Sequence, residues 1–373
     1  MRDGGAWEMK PDVATSLRPG RIAAWPPWLA WTVLLLAVIL TLSTAIGPPR
    51  NPPPPSTGPG PHYTDRELYR EITQKVASGQ DYYAAATATQ RAHGYPIWPP
   101  WAVREPTEAW VLALLRNDLV RWGALLLLSA ASVVLMRDGA EQAPGPGWRR
   151  VAVTLLFGVG LAVVGVPTAP YIHENWATVF IALSLACWRP ERWGLSVAFG
   201  LVACLFREIA VPYMLVMAGL ALAGRRRAEL LGWGAALGVL TVVLAVHFAL
   251  AARQHLPSDG YSPGWMRFGG WPFAVLAARR NILLAVLPAP LASLVLSASL
   301  LGLVSARSPW LDRIAGTAGA FLVLFMAVGR PDNYYWGVMV APLLAMGLPF
   351  APAALRDLAR AAMARGAAVS PAG

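Results

Sequence analysis

Apolar blocks close to twenty residues long recur along this chain, and they constrain its fold more than any other feature. One runs roughly from Trp28 to Ile46 and another from 229 to 251, and neither alternates apolar with polar residues. An α-helix needs ~20 apolar residues to cross the hydrocarbon of a bilayer. Every backbone N–H and C=O at that depth must be paired within the protein, which leaves only helices or closed barrels. Continuous Leu, Ala, Val and Gly without a period of two selects helices. Composition agrees, since 56% of the 373 residues are hydrophobic and only 14% are charged. That is too little polar surface to coat a water-soluble core of this size.

The expectation is an all-α, polytopic transmembrane bundle of about ten spans. After the first block, further spans are expected near 119–136, 151–167, 174–188, 194–206, 209–223, 229–251, 281–304, 314–328 and 335–350. Residues 1–24 form a cytoplasmic tail, 25–350 a single membrane domain, and 351–373 a second cytoplasmic tail. The net charge of +11 does not mark a nucleic-acid binder, because the basic residues stand between apolar blocks. Segments 1–24, 137–150, 189–193, 224–228, 305–313 and 351–373 hold 17 of them, whereas the short loops on the other side hold only Arg207 and Arg330. This asymmetry follows the positive-inside rule and sets the orientation. Cys187 and Cys204 both fall in expected spans, so neither a disulfide nor a metal site is expected.

Two segments on the outer side are long. Residues 48–118 form a first outer loop that opens with a proline-rich spacer. Thr64-Asp65-Arg66-Glu67 then matches a helix capping box, with Leu68, Tyr69, Ile72 and Val76 at helical spacing and Gly79 as the stop. A second short helix is expected from near Asp81 to Gly94. Residues 252–280, rich in Trp, Gly and Arg, read as interfacial.

Ionisable groups near a bilayer are costly and mark function by default. Four outer clusters stand out: Asp65 to Tyr83 with His93 to Thr107, Tyr171 to Glu174, Arg207-Glu208, and Arg330 to Asn333. Asp65 suits a helix start, where a carboxylate meets free N–H groups and the positive dipole end. It also suits a general base, and the two roles are compatible. Arg207 and Arg330 either anchor span ends or grip phosphate oxygens through paired N–H donors. Glu208, Asp332 and the pair His173-Glu174 have simpler readings as ion-pair partners and caps. His247, alone in an apolar span, reads as a packed interhelical residue. Tyr82-Tyr83, Trp98, Trp101 and Tyr334 to Trp336 are either belt aromatics or sugar-stacking rings. No phosphate-binding Gly loop, Ser-His-Asp set or metal-ligand spacing is present.

The order of these motifs resembles a known family. It comprises Asp65-Arg66-Glu67-Leu68-Tyr69, Gly79, Tyr82-Tyr83, Arg91, Gly94-Tyr95-Pro96 and Arg104-Glu105-Pro106-Thr107. After these come His173-Glu174-Asn175-Trp176, Phe206-Arg207-Glu208 and Gly329-Arg330-Pro331-Asp332-Asn333-Tyr334-Tyr335-Trp336. From about 30 to 350 the chain resembles bacterial multispan glycosyltransferases of the C-type superfamily, in particular mannosyltransferase-like members. The resemblance implies a sugar donor carried on polyprenyl phosphate, an unspecified glycan or lipid acceptor, and no cofactor or metal. It places the reaction at the periplasmic face of the bacterial inner membrane, among membrane lipids and without nucleic acid. Asp65 would be the base, with Arg207 and Arg330 on the donor phosphate. Glu208, His173, Glu174, Tyr69, Tyr83, Arg104, Asp332 and Asn333 would complete the substrate site. A transporter or flippase of lipid-linked saccharides is the main rival, but it calls for charges at mid-span. A polysaccharide polymerase or ligase would carry its largest loop later in the chain.

Overall fold

The computed structural model describes residues 20–46, 63–262, 264 and 266–364. Among these the fold is all-helical, and the only β pairings are two isolated bridges. Five helices are long and apolar enough to cross a membrane: Pro27–Ile46, Asp118–Ala140, Gly147–Gly165, Arg227–Ala252 and Pro309–Ala327. Three shorter apolar helices accompany them, Gly194–Phe206, Glu208–Ala223 and Ala289–Ser305. The apolar window of Pro27–Ile46 is only 11% buried, with Trp31, Leu35, Val38 and Leu42 facing outward. Side chains of this kind lying bare over a whole helix fit a lipid surround and not water.

In chain order the α-helices are α1 (Pro27–Ile46), α2 (Asp65–Ala77), α3 (Tyr82–Ala92), α4 (Thr107–Leu114), α5 (Asp118–Ala140), α6 (Gly147–Gly160) and α7 (His173–Cys187). They continue with α8 (Gly194–Phe206), α9 (Val211–Ala223), α10 (Arg227–Ala252), α11 (Gly270–Ala278), α12 (Ile282–Ala285), α13 (Ala289–Ser305), α14 (Pro309–Ala327) and α15 (Ala351–Met363). Helix α7 is the axis of the molecule. Thirteen of its first fourteen residues are buried, including Trp176, Ile181 and Leu185, and it packs on both α5 and α8.

Three expectations need correction. Residues 335–350 are not a continuous α-helix but 3-10 turns, Pro331–Met339 and Ala341–Leu343, followed by further turns. Pro342 and Pro349 each lack a donor, and a Cβ on Gly337 would collide with the Ala277 carbonyl against which the segment lies. The span expected over 281–304 begins only at Ala289, because Asn281 caps the single turn of α12 and Pro288 and Pro290 reset the chain. Helix α11, expected to lie at the interface, is buried along its whole length against α14 and the 331–339 turns.

The first loop folds much as its local signals dictate. The Thr64 amide donates to Glu67 Oε2 at 2.6 Å, closing the capping box, and Asp81 accepts from the Ala84 amide at 3.0 Å to start α3. Gly79 and Gly94 follow the two helices at φ +93° and +71°, a left-handed backbone that suits glycine. Leu68, Ile72, Tyr82, Tyr83 and Ile97 form a small core of their own beside Ala251 of α10. Each aliphatic side chain so buried stabilises the loop by about 1.5–3 kcal/mol. The loop is fastened to the segment after α10. Arg91 grips Asp259 through Nε (2.6 Å) and Nη2 (3.0 Å), and Ser262 donates its amide to the Trp98 carbonyl at 2.7 Å.

Candidate functional site

Asp65 is the first residue of α2, so the loop core described above sets its position. It lines a cavity of about 550 Å³ whose polar side also carries Tyr63, Arg66, Tyr95, Asn175, Arg280 and Tyr335. The opposite wall is apolar and includes Ala162, Val163 and Val166, which follow α6; Ala162 and Val166 are also exposed on the outer surface. The cavity therefore joins a charged pocket to a face suited to hydrocarbon. The Tyr95 hydroxyl donates to the Tyr63 carbonyl at 3.5 Å and lies near Asp65. Burial, and then the nearby Asp65 charge, hold the Tyr95 phenol above its ordinary pKa. Arg66 and Arg280 make no ion pair among the described residues, and Arg280 instead rests over the Tyr334 ring at 5.4 Å. Two guanidiniums without counter-charges beside a single carboxylate leave the cavity net positive.

Behind this cavity lies a buried ionic cluster. Arg207 has no exposed surface, and it donates from Nε to Glu174 at 2.6 Å and from Nη1 to Glu208 at 2.5 Å. Its guanidinium lies 5.6 Å from the Trp336 ring centre. His173 Nδ1 lies 2.6 Å from Glu108 Oε2, and the Tyr69 ring meets His173 edge-on at 4.5 Å. The Glu105 and Glu108 carboxyls of the first loop are pushed well above the usual carboxylate range by burial, and the neighbouring Glu208 charge adds to the effect at Glu105. Tyr335 links cluster and cavity, standing within electrostatic reach of Glu174, Arg104, Arg207 and Asp65.

The structure thus brings Asp65, Tyr69, Arg104, His173, Glu174, Arg207 and Glu208 to one end of the bundle. Arg207 is buried and committed to two carboxylates, so it is placed to position the cavity wall and not to line it. Arg330 stands apart from the cavity lining. It is held by Asp332 at 2.8 Å and by the Gly264 carbonyl at 3.1 Å. Asn333 is buried. Tyr83 is a structural bridge whose hydroxyl lies 3.2 Å from His247 Nδ1, while His247 Nε2 reaches the Val103 carbonyl at 3.1 Å. His247 is the interhelical residue its setting suggested.

Arg66 and Arg280 are the cavity residues that reading the chain passed over. Arg66 had a signal in its adjacency to Asp65, whereas Arg280 is brought opposite by the close of α11 and had none. At the far end of α7 a second buried network joins Trp188, Arg226, Glu229 and Arg313, with Arg313 3.6 Å from the Trp188 ring centre and 3.0 Å from Glu229 Oε1. Its charges pair with one another, and it borders no cavity described above. No known protein family, characterised protein or solved structure matches this chain.

Proposed function

We propose that this protein is a membrane glycosyltransferase of the C-type kind, moving a sugar from a polyprenyl-phosphate donor to an acceptor at the periplasmic face of a bacterial inner membrane. The observation that carries this reading is the cavity itself, in which one carboxylate and two unpaired guanidiniums face an apolar wall. A lipid-linked donor has matching parts. Its chain would lie along Ala162, Val163 and Val166, and its phosphate between Arg66 and Arg280, where charge-assisted hydrogen bonds are strong. The acceptor hydroxyl would attack the anomeric carbon while Asp65 takes its proton. The carbon–oxygen bond to phosphate breaks, and the departing polyprenyl phosphate carries its electron pair to the arginines. Tyr95 would stand beside Asp65, and the Arg207–Glu174–Glu208 cluster would hold Tyr335 and Asn175 at the wall. The five long helices, together with the shorter apolar helices and the buried α7, are compatible with the bundle of about ten crossings expected from the apolar blocks.

The test is donor turnover. Purified protein in lipid nanodiscs is supplied with radiolabelled polyprenyl-phosphate mannose, glucose or arabinose together with a bacterial membrane extract as acceptor source. Label leaves the polyprenyl fraction for at least one donor if the reading holds. No consumption of any donor by folded protein overturns it.

A further inference from the structure

Helix α6 leads at its C-terminal end into the apolar wall of the Asp65 cavity, and at its other end it carries a charged niche. Arg149, in the first turn, lies roughly 20 Å along the axis from Ala162, at ~1.5 Å per residue. Three neighbours fix its guanidinium. It stands 5.7 Å from the Trp148 ring centre and 5.5 Å from that of Phe350, and it lies over Gly145, where an added Cβ would fall 2.7 Å from Nη1. Gly145, at φ +102°, supplies both the left-handed turn and the room for this packing. Arg356, exposed on α15, is within electrostatic reach of Arg149. Neither arginine makes an ion pair among the described residues. The Arg149 side chain donates no hydrogen bond there, and Arg356 donates only from Nε to the Pro352 carbonyl of its own helix, at 3.3 Å. Asp357, next in the chain, accepts from the Gly20 amide at 3.1 Å.

Two cations held near each other on different helices, with no counter-charge, repel, and an anion set between them removes that cost. The aromatic rings hold Arg149 by cation–π attraction, which leaves the N–H donors in the plane of the guanidinium unspent. Such donors match phosphate oxygens in a charge-assisted, paired geometry. The surroundings of the niche indicate which phosphate. From it, α6 presents Trp148, Val151 and Leu155 at spacings of three and four residues, 58%, 59% and 63% exposed. That stripe suits an acyl chain, with the Trp148 indole at the level of the headgroups. A soluble anion would use the guanidiniums and leave the stripe bare, whereas a phospholipid has a part for each. Basic pockets between membrane helices recognise anionic headgroups in this way.

We infer that Arg149 and Arg356 form a binding site for an anionic phospholipid, whose phosphate bridges α6 to α15 and whose chain lies along Val151 and Leu155, in the leaflet opposite the Asp65 cavity. The site stands whether or not the transferase reading holds. The probe is dioleoyl phosphatidylglycerol, offered to the full-length protein in detergent micelles together with an equal amount of dioleoyl phosphatidylcholine. Native mass spectrometry then counts the lipid that each protein molecule retains. Wild type retains the anionic lipid in preference to the zwitterionic one, and Arg149→Gln and Arg356→Gln each lower that preference by about fivefold, the usual contribution of one basic group near an anionic lipid surface. Arg356 is exposed, so its substitution tests the site without disturbing the packing around Arg149. The control is Arg227→Gln, which removes an exposed charge from α10, a helix packed on α8 and α9, and leaves the preference as in wild type. Equal retention of the two lipids by wild type overturns the inference. So does a loss in Arg227→Gln equal to that in Arg356→Gln, which would make overall charge the cause. A large excess of inorganic phosphate separates the two sources of the anion. Undisturbed lipid retention marks a phospholipid site, and displacement marks a soluble-anion site and overturns the lipid assignment.

Discussion

Replacing Arg207 by Leu tests whether the buried cluster behind the cavity is held by charge. The guanidinium is fully buried and serves both Glu174 and Glu208, themselves almost or largely out of solvent. Leu preserves apolar contact with Trp336 but leaves two carboxylates without their nearest cation. Breaking a buried pair by removing one partner costs about 3–5 kcal/mol, because the remaining charge has lost both water and its counter-ion. Larger soluble domains lose roughly 2 °C of Tm per kcal/mol, so the Tm should fall by roughly 5–10 °C. Intrinsic tryptophan fluorescence in detergent micelles reads the transition. The control is the triple variant Arg207→Leu, Glu174→Gln, Glu208→Gln, in which both carboxylates are neutral and Arg104 alone loses counter-charge, so part of the loss should be regained. Arg207→Lys keeps the charge but not the planar fork, and should fall between wild type and Leu. A triple variant no more stable than Arg207→Leu alone would refute the charge argument and leave packing as the cause.

Other outcomes follow from the same geometry. Arg66→Ala and Arg280→Ala should each raise the apparent KM for the lipid donor by roughly 10–100-fold, since a hydrogen bond to a charged group contributes about 1.5–3 kcal/mol; Arg330→Ala should leave it within about twofold. Tyr83→Phe should destabilise the protein by about 1–3 kcal/mol through the orphaned His247 nitrogen, with donor KM unchanged, as thermal unfolding and donor titration will show. The Glu71 carboxyl is held down at about 2 by hydrogen bonds from Lys75 and Tyr63. A carboxylate with a depressed folded pKa contributes stability that is present above its unfolded value near ~4.3 and lost as pH falls toward about 2. Unfolding of wild type and Glu71→Gln should therefore differ at pH 6 and converge by pH 2.

What could be read from the chain divides along a physical line. Signals that act within a few residues were legible, as in the Thr64–Glu67 capping box, the Asp81 start of α3 and the glycine stops at 79 and 94. The apolar blocks gave α1, α8, α9 and α10 to within about two residues, and α5 except for its last turn, because a lipid-facing helix must be continuously apolar. Apolar content misled where proline, glycine or asparagine broke the backbone, as over 281–288 and 335–350. It also could not tell a helix buried in protein, such as α11, from one lying at an interface. The site divides in the same way. Asp65 was visible from its place at a helix start, and Arg207 with Glu208 from their cost in a short loop. Arg280 owes its place opposite Asp65 to tertiary packing alone, and the same packing turns Arg330 toward Asp332 and Gly264.

The central claim is that the Asp65 carboxylate accepts the acceptor's proton during sugar transfer, and one substitution addresses it. Asparagine at 65 keeps the size and much of the hydrogen bonding of the side chain while removing its basicity. With Tm unchanged within a few degrees, release of labelled sugar from the polyprenyl donor should drop by about 10²–10⁴-fold, the usual contribution of a positioned base. Transfer by Asp65→Asn at a rate near that of wild type would contradict the account.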